Sequence, residues 1–226
     1  MGITDRYRSL ADLPAQLPVF PLQGCILLPR SNLPLNIFEP RYLSMVDDII
    51  AGNRIIGIVQ PLGAEEESPA SKGHPLRQTG CAGRLSAFSE TEDGRLLITL
   101  TGICRFDLAG ETRTAKPYRI CDANFAPYQQ DLVRGYGQNA VDWPRFLQVL
   151  KNYLDARDMT ADWDSIQRSP TELLINTISM ISPYGPEEKQ ALLEAPDLKA
   201  RSEVLMALAE MEIAAPPGSG PGTSLH

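Results

Sequence analysis

Asp93-Gly94 lies between two runs of extended-chain character and constrains the fold more than any other pair in this sequence. The dipeptide favours the left-handed turn that joins antiparallel strands. Beyond it, Leu96, Ile98, Leu100, Cys104, Phe106 and Leu108 share one parity, so an extended chain presents them all on one side. Gly102 falls on that same side, where a bulge or a barrel bend costs little. Upstream, short apolar runs recur between turn signals at Val19-Phe20, Ile26-Leu27-Leu28, Leu35-Asn36-Ile37 and Ile55 to Val59. Many short strands separated by Pro and Gly predict a closed or nearly closed barrel over residues 15–130.

One helix interrupts this β-rich region. Pro40 suits a first helical turn, Leu43, Val46, Ile49 and Ile50 follow helical spacing, and Gly52 is a natural stop. The stretch Gly63 to Thr79, with three consecutive glutamates and several Pro and Gly, reads as a polar loop. From about residue 140 the period becomes helical. Trp143, Phe146, Leu147, Leu150, Tyr153 and Leu154 form one apolar stripe behind an Asp142 cap. Ser169-Pro-Thr-Glu172 predicts a capping box opening a helix to about Ile181. Pro183-Tyr-Gly-Pro186 breaks the chain, and two more helices follow over Glu187 to Glu194 and Leu198 to Ile213. The expected layout is α+β: an N-terminal extension (1–14), a β-rich barrel (15–130), a small helical bundle (131–213) and a disordered Pro/Gly tail (214–226).

Composition narrows the function. At 226 residues and 43% apolar content, the chain can bury a real core. A net charge of −7 and the absence of any Lys/Arg run argue against a nucleic-acid partner. The first 17 residues lack an apolar signal core, and Arg6 occupies the place where a myristoylation motif needs Ser or Thr. No apolar run reaches the ~20 residues of a membrane helix, so a cytoplasmic protein without a membrane partner is expected. Cys25, Cys81, Cys104 and Cys121 are scattered without a C-x-x-C pair. They read as reduced, mostly buried thiols, and no metal or cofactor is expected.

Three sets of residues invite a chemical reading and fail it. Gly135-Tyr-Gly-Gln-Asn-Ala140 imitates a dinucleotide fingerprint, but only Leu132-Val133 precedes it where a strand is required. Cysteine nucleophiles need a base, and both histidines, His74 and His226, sit in segments read as loop or tail. Glu39, Arg41 and Arg105 are charged residues at a strand–helix junction or on a strand, positions that more often satisfy a local partner than a ligand.

The motifs add a family. Leu33-Pro-Leu-Asn-Ile-Phe-Glu-Pro-Arg-Tyr42 and Arg54-Ile-Ile-Gly-Ile-Val-Gln60 resemble the signature of the N-terminal substrate-binding domain of Lon proteases. Leu17-Pro-Val-Phe-Pro-Leu22 is similar to that family's first strand, and Thr101-Gly-Ile-Cys-Arg-Phe106 to its Gly-x-x-Arg-Phe strand. Gly80 to Arg84 and Asp93-Gly-Arg95 resemble its central hairpin, and Pro117-Tyr118 the strand after it. Glu188-Lys-Gln-Ala-Leu-Leu-Glu194 and Arg201 near Leu205 resemble its last two helices. The resemblance covers roughly residues 15 to 213 and implies a PUA-like β pseudo-barrel followed by a helical bundle. Two departures stand out: Asn36 where the family usually carries His, and Pro29-Arg30 where Pro-Gly is common. None of Lys72, Lys116, Lys151, Lys189 and Lys199 follows a glycine, so this sequence holds no Walker A loop, and the expectation is a stand-alone substrate-handling module without the ATPase and peptidase of a full Lon protease.

The resemblance therefore implies a non-enzymatic module that binds unfolded or damaged polypeptides, in company with a protease or chaperone complex, as a monomer or weak homodimer. The polypeptide-binding residues it points to are Leu22, Ile26, Leu28, Phe38, Arg41 and Tyr42. The loop from Pro21 to Leu33 carries more apolar side chains than a solvent loop needs, so each is either core or part of an exposed binding patch. The alternative is an adaptor that docks on one specific folded partner.

Overall fold

The structure is a computed structural model that describes residues 4–63 and 74–214. Its chain divides into two compact units that meet between Arg134 and Gly135. The expected tail from residue 215 onward and most of the expected 63–79 loop lie outside the described residues. The part of that loop from Leu76 already belongs to a strand.

The first unit is a barrel. Its strands are β1 (Gln16–Pro21), β2 (Asn32–Ile37), β3 (Ile55–Pro61), β4 (Leu76–Glu90), β5 (Leu96–Thr112) and β6 (Arg119–Asn124). The sheet runs β2-β5-β4-β3-β1-β6, and β5 also pairs with β6. That extra pairing closes β1, β3, β4, β5 and β6 into a ring and leaves β2 as a side strand. All pairs are antiparallel except β1 with β3. The long β5 makes closure possible: its first half pairs with β2 and its second half with β6. Asp93-Gly94 turns the chain between β4 and β5, with Gly94 at φ 78.

Parity along β5 holds where the ring is tightest. Ile98, Leu100, Gly102, Cys104 and Phe106 are buried on one side, whereas Leu108 is half-buried near the strand's end. Arg105, of the opposite parity, is buried too, because the 3-10 segment Ala126–Leu132 packs over β5. Helix α1 (Pro40–Ala51) starts at Pro40 and stops at Gly52 as the sequence indicates, burying Tyr42, Met45, Val46 and Ile49. Tyr7 and Leu13, within the stretch read as an extension, join the core of Leu17, Ile103 and Phe106.

The centre of the loop from Leu22 to Ser31 is core, with Ile26, Leu27 and Leu28 at most 1% exposed, while Leu22 at its start is half-buried. It crosses β5 at Gly102. There Arg30 N–H donates to the Gly102 carbonyl (2.8 Å) and Gly102 N–H to the Ser31 carbonyl (2.9 Å). A Cβ on Gly102 would sit 2.0 Å from the Leu28 carbonyl oxygen, so only glycine admits this crossing. Arg30 itself adopts φ 64, a conformation glycine takes freely, and its guanidinium anchors the turn by donating to the Asp131 carbonyl (2.6 Å).

The second unit is helical: α2 (Trp143–Ala156), α3 (Trp163–Arg168), α4 (Thr171–Ile181), α5 (Pro186–Glu194) and α6 (Leu198–Ala214). Asp142 caps α2 by accepting from Arg145 N–H (3.1 Å). The capping box expected at Ser169 does not form. The Ser169 hydroxyl donates backward to the Ser165 carbonyl (2.8 Å), because α3 occupies that stretch, and Glu172 accepts from Gly135 N–H (2.8 Å). Gly135 and Gly137 take φ 69 and 75 and lead into the 3-10 turn Gln138–Ala140 rather than into a phosphate-binding helix. Two buried cations tie the bundle. Lys189 Nζ donates to the Ser179 and Met180 carbonyls at the end of α4 (2.9 and 2.5 Å), where helix carbonyls lack partners. Arg201 donates to the Leu192 carbonyl (2.9 Å) and Asn176 Oδ1 (3.0 Å).

All four cysteines are free thiols, and only Cys25 is partly exposed. Burial pushes the Cys121 thiol up to about 11 and the Cys104 thiol further. A thiol reagent at about pH 8 is expected to modify about one equivalent quickly, at Cys25, and the other three only in denaturant. Rapid modification of all four in the folded protein would contradict this packing. Among the described residues no helix is long and apolar enough to cross a membrane.

Candidate functional site

The helical unit buries its own apolar surface incompletely. Helices α2, α4 and α5 all pack against α6. Between α2 and α4 a groove of about 440 Å³ opens over α6. Its floor is Leu205, Met206 and Ala209 of α6. One wall is Phe146, Val149, Leu150 and Tyr153 of α2, and the other Ile178 and Ile181 of α4. The α2 stripe seen in the sequence explains the groove: Phe146 and Val149 are buried in it, while Leu150, Tyr153 and Leu154 are only half-covered. At the rim Ile181 is 74% exposed and Met159 is 55% exposed. An apolar cavity of this size lies within the ~300–1,000 Å³ range of ligand pockets.

Its polar groups gather at one end. Arg157 contacts Glu212 (2.6 Å) and lies 5.3 Å from the Tyr153 ring centroid. Burial, together with the hydrogen bond to Glu212, pushes the Tyr153 hydroxyl up, and burial does the same more strongly to Tyr184. Both hydroxyls are therefore neutral near neutral pH. Among the described residues that line the groove there is no histidine, cysteine or carboxylate pair, and the lining is mostly apolar contact surface.

The structure divides the six residues singled out in the sequence. Ile26, Leu28 and Tyr42 are buried, with Tyr42 packed edge-on against Phe20 at 4.2 Å. Phe38 is 62% exposed, Arg41 is exposed and Leu22 is half-buried. Arg41 pairs with Glu39 (2.7 Å) and stacks over the Tyr42 ring at 4.6 Å. Arg41 and Tyr42 also line a small cleft of about 110 Å³ with Pro117 and Tyr118. The sequence missed the groove itself. The α2 stripe was a usable signal, but an amphipathic stripe does not say how completely its partners cover it.

Arg105 meets the expectation that it pairs rather than binds. Asp131 accepts from its Nε (2.8 Å), its second guanidinium nitrogen (2.9 Å) and its backbone N–H (3.0 Å). Burial alone would lower the Arg105 pKa, but the hydrogen bonds and charge of Asp131 more than reverse this and raise it. Tyr128 stacks on the guanidinium at 4.6 Å. This is a fixed structural element without a free coordination position.

The family model for the ATP-dependent protease La (LON) substrate-binding domain matches residues 16–210. The Lon protease of Desulfosudis oleivorans is 25% identical over 209 residues, covering 88% of this chain and 24% of that protein. The Lon protease of Flavobacterium johnsoniae is 24% identical over 200 residues, covering 84% of this chain and 23% of that protein. The chain thus spans about a quarter of the length of the curated relatives it matches. Among solved structures, a Lon N-terminal domain protein from Xanthomonas campestris aligns with a TM-score of 0.56 at 20% identity. The N-terminal domain of Mycobacterium avium complex Lon protease aligns at 0.60 and 16%. Each alignment covers 86% of this chain and 98% of the other. The match to the family model over nearly the whole described chain places this protein in the Lon substrate-binding domain family.

Proposed function

We propose that this protein binds unfolded or degradation-prone polypeptides and carries out no chemistry on them. The observation that carries the reading is the open apolar groove between α2 and α4 in a chain of the Lon substrate-binding family. Folded proteins hide their large apolar side chains, whereas unfolded ones present them. A groove with neutral apolar walls selects for that difference. Each apolar side chain it covers contributes about 1.5–3 kcal/mol, and ordering the client offsets part of this. A micromolar affinity, about −8 kcal/mol net, therefore needs several such contacts made at once along the groove. Leu22, Phe38 and Arg41, the last stacked on Tyr42, form a second contact surface on the barrel, while Ile26 and Leu28 are buried in the core. Four free thiols fit a reducing compartment, so the cytoplasm is part of the same reading.

The test is fluorescence anisotropy of a labelled, permanently unfolded protein titrated with this one, beside its folded form. Saturable binding of the unfolded form alone, with a Kd of about micromolar order, is the expected result. Equal binding of both forms, or of neither, would remove the selectivity on which the reading rests.

A further inference from the structure

The barrel unit carries a second, chemically opposite pocket. A cavity of about 420 Å³ opens where the N-terminal segment meets the turn after α1, and Arg6, Arg54 and Arg84 all line it. In a chain of net charge −7, three guanidinium groups around one cavity stand out. Among the described lining residues the one carboxylate, Asp12, is already engaged, accepting from the N–H groups of Arg8 and Ser9 (2.9 Å each), and those hydrogen bonds keep it ionised by lowering its pKa. Among the described residues neither Arg6 nor Arg54 has a carboxylate partner, and Arg6 lies over the Tyr7 ring at 5.6 Å. Arg84 donates through one guanidinium nitrogen to the Tyr7 hydroxyl and the Asn53 carbonyl (3.1 Å each), but its buried Nε–H has no acceptor. That nitrogen is closed off from solvent, so it is the terminal N–H groups of Arg84 that can face an anion in the cavity.

Arg54 is placed at a cost to the backbone. It adopts φ 63, where its N–H donates to the Ile49 carbonyl (3.0 Å) and its carbonyl accepts from Leu85 N–H (2.8 Å). Glycine would hold this turn without strain, whereas arginine places a guanidinium on the cavity wall.

We infer that this cavity binds a phosphate monoester dianion or free phosphate through Arg6, Arg54 and Arg84. Three guanidinium groups against one engaged carboxylate leave two positive charges, which match a phosphoryl dianion and exceed what a single carboxylate neutralises. Arginine forks present paired N–H groups at the spacing of phosphate oxygens. The site is independent of the apolar groove and of polypeptide binding.

The test is an ¹⁵N NMR titration of the full chain at constant ionic strength, near pH 7.5, with inorganic phosphate, O-phosphoserine and acetate. Saturating shifts at the Nε–H groups of Arg54 and Arg84 and at the amides of residues 52–55 are expected with both phosphates and not with acetate. Tighter O-phosphoserine binding assigns the site to phosphate esters; equal or tighter inorganic phosphate assigns it to the free ion. Arg54→Gly removes one guanidinium while easing the turn, so affinity is expected to fall about tenfold with no loss of melting temperature. Arg6→Gln, at an exposed position, is expected to weaken binding similarly. Shifts that acetate reproduces, or undiminished phosphate affinity in Arg54→Gly, would overturn the inference.

Discussion

Gly102→Ala is expected to destabilise the barrel by about 3 kcal/mol or more, the upper end of overpacking costs. The added methyl would sit 2.0 Å from the Leu28 carbonyl oxygen and 2.7 Å from its carbon. Both are backbone atoms, so no side-chain rotation relieves the clash. Moving the Leu28 backbone would stretch the Arg30–Gly102 and Gly102–Ser31 hydrogen bonds and lift Ile26, Leu27 and Leu28 out of the core. Gly110→Ala is the comparison, because the nearest atom there is the flexible Asp122 Oδ2 at 3.4 Å. Its effect is expected within about 0.5 kcal/mol. Urea denaturation followed by far-UV circular dichroism measures both. Equal stability of the two variants would mean that the loop does not cross β5 as described.

Asp131→Ala is the second large effect, with about 3–5 kcal/mol lost. Arg105 is 1% exposed and has no route to solvent when its partner is removed. The change deletes two guanidinium hydrogen bonds and one backbone hydrogen bond at once. It also loosens the Ala126–Leu132 segment, held to β5 further along by Tyr128 donating to Asp107 (2.9 Å). Replacing both partners, as in Arg105→Met with Asp131→Leu, is expected to recover a large part of the loss, since a buried pair owes much of its cost to leaving one charge alone. A single Asp131→Ala variant as stable as the parent would refute a buried, paired Arg105.

The elements that the sequence disclosed are those whose signals are local. Asp93-Gly94 fixed a turn, Pro40 and Gly52 bracketed α1, and Asp142 capped α2, because each acts on backbone within a few residues. Arg105 was legible as a paired residue, but its partner lies 26 positions away, beyond any periodic signal. Lys189 and Arg201 defeat composition-based reading, since charged residues default to solvent. Here they are buried because α4 and α5 end inside the bundle and need donors for their last carbonyls. Ser169-Pro-Thr-Glu172 had the right letters, but the short helix α3 ends at Arg168 and claims the serine hydroxyl. The groove depends on how helices lean on one another, and no single helix encodes that.

The most direct test of a polypeptide-holding groove is the ratio of dissociation constants for one unfolded client between Ile181→Glu and the parent protein. Ile181 is largely exposed at the groove rim, so the change leaves folding intact while placing a charge where apolar side chains must dock. The predicted result is a loss of about tenfold or more, roughly 1.4 kcal/mol, with an unchanged melting temperature. An unchanged dissociation constant, with Phe38→Glu on the barrel weakening binding instead, would contradict the groove as the client site.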